Sequence, residues 1–185
     1  MTTVFVAGSI TIKKLDPLII ARLKKIVDRH FSVVVGDANG VDSSVQHALL
    51  EMGCDSTTVF SSSPKPRNNL GAWPVSVVKT GHPRGTRAFY TAKDIQMAEQ
   101  ADYGLMVWDA KSTGTLNNVI ELLQRKKNSV VFINKSKVFM VIKSPDDLDK
   151  LITCMAPADY TKADEKIKLS EKLQQLKHQQ MNMFA

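Results

Sequence analysis

The segment Ser32–Ser44, SVVVGDANGVDSS, constrains the fold of this 185-residue chain more than any other. Val33–Val35 form a β-branched run that stops at Gly36, and an apolar helical stripe begins at Val41 after a short loop that ends at Gly40. This pattern predicts a strand, a glycine turn and a helix N-terminus. Such a junction presents free backbone N–H groups and the positive end of a helix dipole, which together favour anions such as phosphate.

Two further junctions follow the same pattern. A strand at Thr3–Ala7 runs into Gly8 and Ser9, and a strand at Tyr103–Trp108 runs into a polar loop before a helix that starts near residue 116. The residues of that second loop are Ser112, Thr113, Gly114 and Thr115. Parallel strands place their carboxyl ends at one edge of a sheet, where ligands bind at the switch point. We therefore expect one crevice with three loops, although the G-x-G-x-x-G dinucleotide fingerprint is missing.

Strands and helices alternate along the chain, which predicts an α/β fold: a three-layer, Rossmann-like parallel sheet with helices on both faces. We expect strands at 3–7, 32–35, 56–61, 103–108 and 129–133, and helices at about 17–30, 41–52, 87–100, 116–127 and 145–154. Residues 129–133 and 137–142 form an edge hairpin, and a polar helix follows at about 160–180. The predicted domains are a nucleotide-binding unit, 1–156, and a C-terminal helix with a tail, 157–185.

The positive charge is concentrated in one segment. The chain carries a net charge of +7, yet Ser56–Lys93 contains no Asp or Glu and holds six cationic side chains: Lys65, Arg67, Lys79, Arg84, Arg87 and Lys93. Residues 62–87 of this segment are irregular, with a short strand at 75–78. A local excess of this kind predicts an anionic partner, and a solvated basic loop is the alternative.

Composition excludes several classes. No apolar run approaches the roughly 18 residues that a membrane span requires, and the start MTTVFVAGS enters a strand without the basic region of a signal peptide. Cys54 and Cys154 suggest no disulfide framework, and the four histidines have no metal-ligand spacing. We therefore predict a cytoplasmic protein with no membrane contact, no metal and no cofactor.

The segments quoted above resemble a known superfamily. VFVAGS, then a helix, then VVVGDANGVDSSVQHALLEMG is similar to the superfamily that joins the DNA-processing Smf proteins with the Lonely guy phosphoribohydrolases. Smf proteins carry Gly-Leu-x-x-Gly-Ile-Asp where this chain has Gly36–Asp42, GDANGVD. The resemblance covers about residues 3–131 and implies a Rossmann-like fold, a nucleotide ligand and a homodimer.

The second motif of the Lonely guy branch departs from the pattern here. That motif reads P-G-G-x-G-T-x-x-E with a functional Arg upstream; Gly114 and Thr115 match, but the Pro-Gly-Gly lead is missing and Asn118 stands at the Glu position. Arg87 corresponds to the family Arg, with Arg84 as the alternative. Nucleoside deoxyribosyltransferases, similar in topology, also place a Glu after a comparable Gly-Thr.

The Asn bears directly on catalysis. Cleavage of an N-glycosidic bond passes through an oxocarbenium-like state, which a carboxylate normally stabilises or attacks. A neutral amide can hydrogen-bond a ribose but carries no compensating charge. Asp109 and Glu121 are the two carboxylates that could substitute, and Arg87 would then bind the phosphate. The alternative role of Asp109 is that of a hydrogen-bond acceptor within its loop, and the alternative for Glu121 is an ordinary residue on the helix surface.

Other single residues receive expectations as well. Asp37 at a strand end is a candidate ligand for a ribose hydroxyl, whereas Asp42 in a first helical turn is most simply a capping residue. Ser9 is expected either to donate to a phosphate or to cap the next turn. Trp73 lies in the basic segment, where it could stack on a base.

The C-terminus carries a separate signal. Residues Gln180, Met181, Met183 and Phe184 resemble the Gln-Leu-x-Leu-Phe peptide by which bacterial proteins bind the replication sliding clamp. Chance similarity or the end of an amphipathic helix is the alternative.

Three functions are therefore open. The first is binding of a nucleotide or a nucleotide-derived phosphate by a domain that lacks the family Glu. The second is an enzyme, either a nucleoside-monophosphate N-glycosidase or a deoxyribosyltransferase-like enzyme. The third is an Smf-like protein that binds single-stranded DNA and associates with the sliding clamp.

Overall fold

A computed structural model describes residues 1–182 as an α/β fold of seven strands and seven helices. The strands are β1 (Thr3–Gly8), β2 (Ser32–Gly36), β3 (Thr57–Ser61), β4 (Val75–Val77), β5 (Tyr103–Trp108), β6 (Ser129–Ile133) and β7 (Val138–Ile142). The helices are α1 (Pro17–Asp28), α2 (Val41–Glu51), α3 (Arg87–Gln100), α4 (Thr113–Gln124), α5 (Pro145–Ile152), α6 (Pro157–Ile167) and α7 (Leu169–Asn182). The α/β prediction is confirmed.

The seven strands form one sheet in the order β4-β3-β2-β1-β5-β6-β7. All neighbouring pairs are parallel except β6 and β7, which pair antiparallel as the predicted edge hairpin. The chain builds the sheet outwards from β1 through β2 and β3 to β4, and then crosses to the other side of β1 at β5. The order reverses between β1 and β5, and this is the switch point of the fold.

Helices cover both faces of the sheet, so the molecule has the three expected layers. On one face, alternate strand residues such as Val6 and Val35 pack with Leu23 of α1 and Leu49 of α2. On the other face, the intervening strand residues pack with side chains of α3 to α7. This alternation follows from the two-residue period of a strand, which sends successive side chains to opposite faces.

Local sequence signals explain where the helices begin. Asp16 accepts a hydrogen bond from Leu18 N at 3.0 Å and precedes Pro17, while Thr86 accepts from Phe89 N at 3.3 Å. Ser144 and Asp147 form a reciprocal capping box at the start of α5. Each of these side chains satisfies a backbone donor that the first helical turn leaves without a partner.

Two elements differ from the prediction. Helix α4 begins at Thr113 because Ser112 caps it, so most of the expected loop at residues 112–115 is its first turn. The single C-terminal helix is two helices, α6 and α7, separated at Lys168, which adopts a left-handed conformation with φ of 55°. Asp164 Oδ1 accepts from Ser170 N at 2.8 Å and stabilises this break. Helical periodicity alone did not reveal it.

The irregular segment before α3 is fixed to the sheet by specific contacts. Asn68 Nδ2 donates to Asp37 O at 2.8 Å, and Gln46 Nε2 donates to Asn68 O at 3.3 Å. Trp73 is buried and donates through Nε1 to Cys54 O at 2.8 Å. The short strand β4 then pairs with β3 as predicted. Residues 67–77 are thus an ordered part of the fold.

Candidate functional site

The switch point brings two of the predicted loops together. Strands β1 and β5 are neighbours, with Gly8 opposite Val107, so the loops after both strands start at the same edge of the sheet. The loop after β2 lies beside them because β2 is the other neighbour of β1. The carboxyl ends of three adjacent strands therefore carry the three loops singled out from the sequence.

Ser9 joins these loops from a fully buried position. Its Oγ accepts from Asp109 N at 3.1 Å and lies 3.4 Å from Thr115 Oγ1. Its backbone oxygen accepts from Val41 N at 3.3 Å, at the start of α2. Ser9 is 0% exposed, so it holds the crevice together and a ligand does not reach it without displacement.

Glycine is required where α2 leaves β2. Gly40 has φ of +80°, a conformation that side chains disfavour, and a Cβ there would collide with the backbone of Ile10. A Cβ at Gly36 would lie 2.7 Å from Lys93 Nζ and would collide with the carboxylate of Asp42. Both glycines therefore serve close packing between loops, and neither needs a ligand to explain it.

Asp109 is engaged in holding its own loop. Its Oδ1 accepts from Ser112 N at 2.7 Å and from Lys111 N at 2.9 Å, and its Oδ2 accepts from Thr11 Oγ1 at 2.7 Å. Burial raises the pKa of Asp109, but these hydrogen bonds outweigh it and hold the pKa below its ordinary value. The carboxylate is ionised and fixes the turn that leads into α4.

Glu121, the other proposed carboxylate, forms an ion pair on α4. Its Oε2 lies 2.6 Å from Arg125 Nη1. It follows Thr113 by eight residues, which places it about 12 Å along the helix from the first turn, at 1.5 Å per residue. The structure thus does not bring Glu121 to the loops at the switch point.

The start of α4 carries unpaired donors at the same edge of the sheet. Ser112 Oγ accepts from Thr115 N at 3.4 Å, while the backbone N–H groups of Thr113 and Gly114 find no acceptor within residues 1–182. Arg87 of α3 donates through Nη1 to Thr113 Oγ1 at 3.2 Å. Burial lowers the pKa of Arg87 from its ordinary value, which leaves it a cation at neutral pH.

Asn118 lies one helical turn beyond Thr115, on the buried face of α4. It is 4% exposed, and its Oδ1 is buried without a hydrogen-bond donor among the described residues. Its neighbour Asn117 differs, because Asn117 Oδ1 accepts from Lys172 Nζ of α7 at 2.7 Å. An unpaired buried oxygen costs free energy, so an enclosed water would be stabilised at the Asn118 amide, whereas a ligand does not reach it without displacement of the surrounding residues.

Asp37 is already paired. Its Oδ1 lies 2.7 Å from Arg67 Nη2, and its Oδ2 accepts from Arg67 N and from Ser61 Oγ, each at 3.0 Å. Burial would raise the pKa of Asp37, but Arg67 outweighs it and holds the pKa below its ordinary value. The Arg67 guanidinium also lies 4.8 Å from the centre of the Tyr90 ring. Asp37 thus anchors the basic segment, and its oxygens are not free for a ribose.

Trp73 cannot stack on a base from its position. Only 7% of the residue is exposed, and its ring packs in the core beneath α2 with Cys54. The expectation of base stacking was wrong because a basic neighbourhood in sequence does not determine which side of the segment faces the sheet.

A buried charged group that sequence reasoning left among the surface cations lies under Gly36. Lys93 of α3 is 4% exposed, and its Nζ lies 2.6 Å from Asp94 Oδ1. Burial would lower the pKa of Lys93, but the charges of Asp94 and Asp42 hold it above its ordinary value. Burial raises the pKa of Asp42 to about 6, although Lys93 opposes this. The available signal was that Lys93 lies four residues before the buried Met97.

Arg84 and the C-terminal residues complete the list of predicted positions. Arg84 lines a small cleft with Lys65 at the end of β3, next to the switch-point loops. Gln180 and Met181 lie in the last turn of α7, whereas Met183 and Phe184 of the clamp-like peptide lie outside the described residues. The clamp interaction stays a prediction.

Comparison of this chain with protein-family models, with curated proteins and with solved structures finds no match. Within residues 1–182, no helix combines the length and the apolar character needed to cross a membrane. The same residues contain no cluster of three or more His, Cys, Asp or Glu side chains suited to a metal ion. The fold thus defines a Rossmann-like α/β protein.

Proposed function

We propose that this protein binds a nucleotide, or a phosphate derived from one, in the crevice at the switch point. The observation that carries the proposal is the start of α4, where the backbone N–H groups of Thr113 and Gly114 have no acceptor within residues 1–182 and Arg87 contacts Thr113 Oγ1 at 3.2 Å. The phosphate would lie at the start of α4, beside Arg87.

The same geometry argues for binding rather than hydrolysis. Asp109 is committed to the turn before α4, and Glu121 is paired with Arg125 well along the helix. Neither carboxylate is positioned to stabilise an oxocarbenium-like state above the first turn of α4. The N-glycosidase and deoxyribosyltransferase alternatives therefore lack a free carboxylate at the positions that the resemblance suggests. Membership in the superfamily of Smf and Lonely guy proteins remains part of this proposal.

Thermal unfolding in the presence of AMP, GMP, CMP or UMP tests the proposal, followed by isothermal titration calorimetry with any nucleotide that raises the Tm. A ligand that binds only the folded state at 100 times its Kd adds about 2.7 kcal/mol to the free energy of unfolding. For a chain of this size that corresponds to a rise in Tm of roughly 5–10 °C. No rise with any of the four nucleotides would contradict nucleotide binding.

Matched variants locate the site. We expect Arg87→Ala to weaken nucleotide affinity at least tenfold, because a charge-assisted contact to phosphate is lost. Asn118→Ala should leave it within about twofold because the amide is enclosed, and Arg125→Ala, which alters a cation at the far end of α4, should leave it unchanged. Release of free base from a nucleotide, abolished by Asp109→Ala or Glu121→Ala, would instead establish the enzyme.

A further inference from the structure

A second cleft lies at the same edge of the sheet as the proposed nucleotide site. It is a pocket of about 50 Å³ at the carboxyl end of β3, between the residues that follow that strand and the start of α3. Its lining includes Ser62, Lys65, Arg84 and Tyr90. Because β3 is next to β2 in the sheet, the cleft is adjacent to the loops at the switch point.

The cleft carries positive charge that the fold does not neutralise. Asp37 is its one acidic lining residue, and the ion pair with Arg67 at 2.7 Å compensates that charge. Lys65 and Arg84 remain, and neither has a carboxylate within 4.0 Å among residues 1–182. Both side chains are exposed. Two uncompensated cations around a small polar pocket favour an anion.

The start of α3 links the cleft to the proposed nucleotide site along the chain. Arg84 lines the cleft, and Arg87, three residues later, contacts Thr113 at the start of α4. Three residues span at most about 11 Å, so the two arginines serve neighbouring positions. Tyr90, on the same helix, is 37% exposed, and its ring centre lies 4.8 Å from the Arg67 guanidinium.

We propose that this cleft binds a second phosphate of the same ligand, so that the ligand is a dinucleotide with two phosphates separated by one nucleoside. The inference rests on the proposed nucleotide site. The first phosphate lies at α4 beside Arg87, and the second lies between Lys65 and Arg84. Ser62 is not a ligand, because its Oγ donates to Phe89 O at 2.7 Å and positions the start of α3.

Calorimetry with the full chain tests this assignment. The probes are the mononucleotide that binds best in the panel and the 5′-phosphorylated dinucleotide of the same base. We expect the dinucleotide to bind the wild-type protein at least tenfold more tightly. Lys65→Ala should reduce that advantage and leave mononucleotide affinity within twofold, and the double variant Lys65→Ala with Arg84→Ala should remove the advantage. Both residues are exposed, so the variant should fold normally.

The control is Lys79→Ala, a cation of the same segment that lines a different surface depression with Thr80 and His82, and it should preserve the dinucleotide advantage. Equal wild-type affinity for the two probes, or equal loss of both in the double variant, would overturn the second-phosphate site. If affinity rises another tenfold when the probe is lengthened from two to eight nucleotides, the ligand is a single strand, and the dinucleotide assignment is overturned as well. Failure of the nucleotide site itself is distinct, because then neither probe binds.

Discussion

At the scale of single residues, the crevice depends on contacts that leave no spare volume. Gly36 ends β2 beside the Asp42 carboxylate and the Lys93 ammonium, and both side chains are almost fully buried. Lys93 pairs with Asp94 at 2.6 Å, whereas Asp42 has no cation within 4.0 Å among residues 1–182, so the cluster holds two carboxylates and one ammonium. Buried charges persist only when paired, which makes this cluster sensitive to both volume and protonation.

The substitution Gly36→Ala tests how tightly the charged side chains pack against Gly36. The added Cβ would collide with the carboxylate of Asp42 and crowd Lys93, and overpacking of this kind costs about 1–3 kcal/mol. We expect a corresponding fall in the free energy of unfolding, measured by urea denaturation. Gly81→Ala is the control, because a Cβ at Gly81 meets nothing within 4 Å and should change stability little. Equal effects of the two changes would contradict the steric argument.

The pH dependence of the free energy of unfolding tests the protonation of Asp42. Burial raises the pKa of Asp42 in the folded state from 3.8 to about 6, so between these values the folded protein binds more protons than the unfolded chain. Stability therefore falls as pH rises from 4 to 6, by roughly 2–3 kcal/mol. Asp42→Asn should lose that slope. Asp37→Asn is the control. Because the pKa of Asp37 is lowered, its titration changes stability below pH 4, and the slope between pH 4 and 6 should persist in this variant.

At the scale of elements, the first turn of α4 combines a structural cap with the proposed phosphate contact. Ser112 Oγ accepts from Thr115 N and Oγ1, and Ser112 O accepts from Trp108 Nε1 at 3.0 Å. The adjacent N–H groups remain unpaired, and Arg87 approaches from α3. Stability and the proposed ligand contact therefore involve different atoms of the same turn, which allows them to be separated by substitution.

Two substitutions of Ser112 separate these roles. Ser112→Ala removes the cap and should lower the free energy of unfolding by about 1 kcal/mol. Ser112→Asp retains a capping oxygen and complements the helix dipole, so stability should stay near that of the wild type. Its negative charge opposes an anionic ligand, so nucleotide affinity should fall at least tenfold in calorimetry. If Ser112→Asp binds the nucleotide as tightly as the wild type, the phosphate does not lie at this turn.

At the scale of the whole molecule, the C-terminal helices belong to the same core as the sheet. Ala163 and Ile167 of α6 and Leu169 and Leu176 of α7 are buried in one cluster with residues of α4 and α5, including Leu116. Lys172 of α7 also donates to Asn117 of α4, which follows Thr115 of the first helical turn by two residues. The helices thus cover the face of the sheet on which α4 lies.

Truncation after residue 156 tests the division at 156/157. The loss of four buried apolar side chains should cost roughly 5 kcal/mol, which is comparable to the total stability of many domains. We expect residues 1–156 to unfold at a much lower temperature by circular dichroism or to aggregate. Removal of residues 183–185 alone is the control. Cooperative unfolding of 1–156 with nearly wild-type stability would support an independent domain and contradict the packing argument.

The sequence by itself determined the elements and their class. The valine run before Gly36, the Asp16–Pro17 start of α1 and the alternation of strands and helices are local patterns, and burial periodicity and capping are decided within a few residues. The parallel sheet with an edge hairpin followed from them. The three loops at one edge followed from the same patterns, because parallel strands end together.

Only the tertiary structure decided which side chains of those loops remain free. Asp37 meets Arg67, 30 positions away, and Asp109 meets Thr11, 98 positions away, so the carboxylates that looked available are paired. Asn118 Oδ1, by contrast, is buried without a hydrogen-bond donor among residues 1–182. The physical reason is that hydrogen bonds and ion pairs form between strand ends brought together by the order of the sheet, and no local pattern in the sequence encodes those distances.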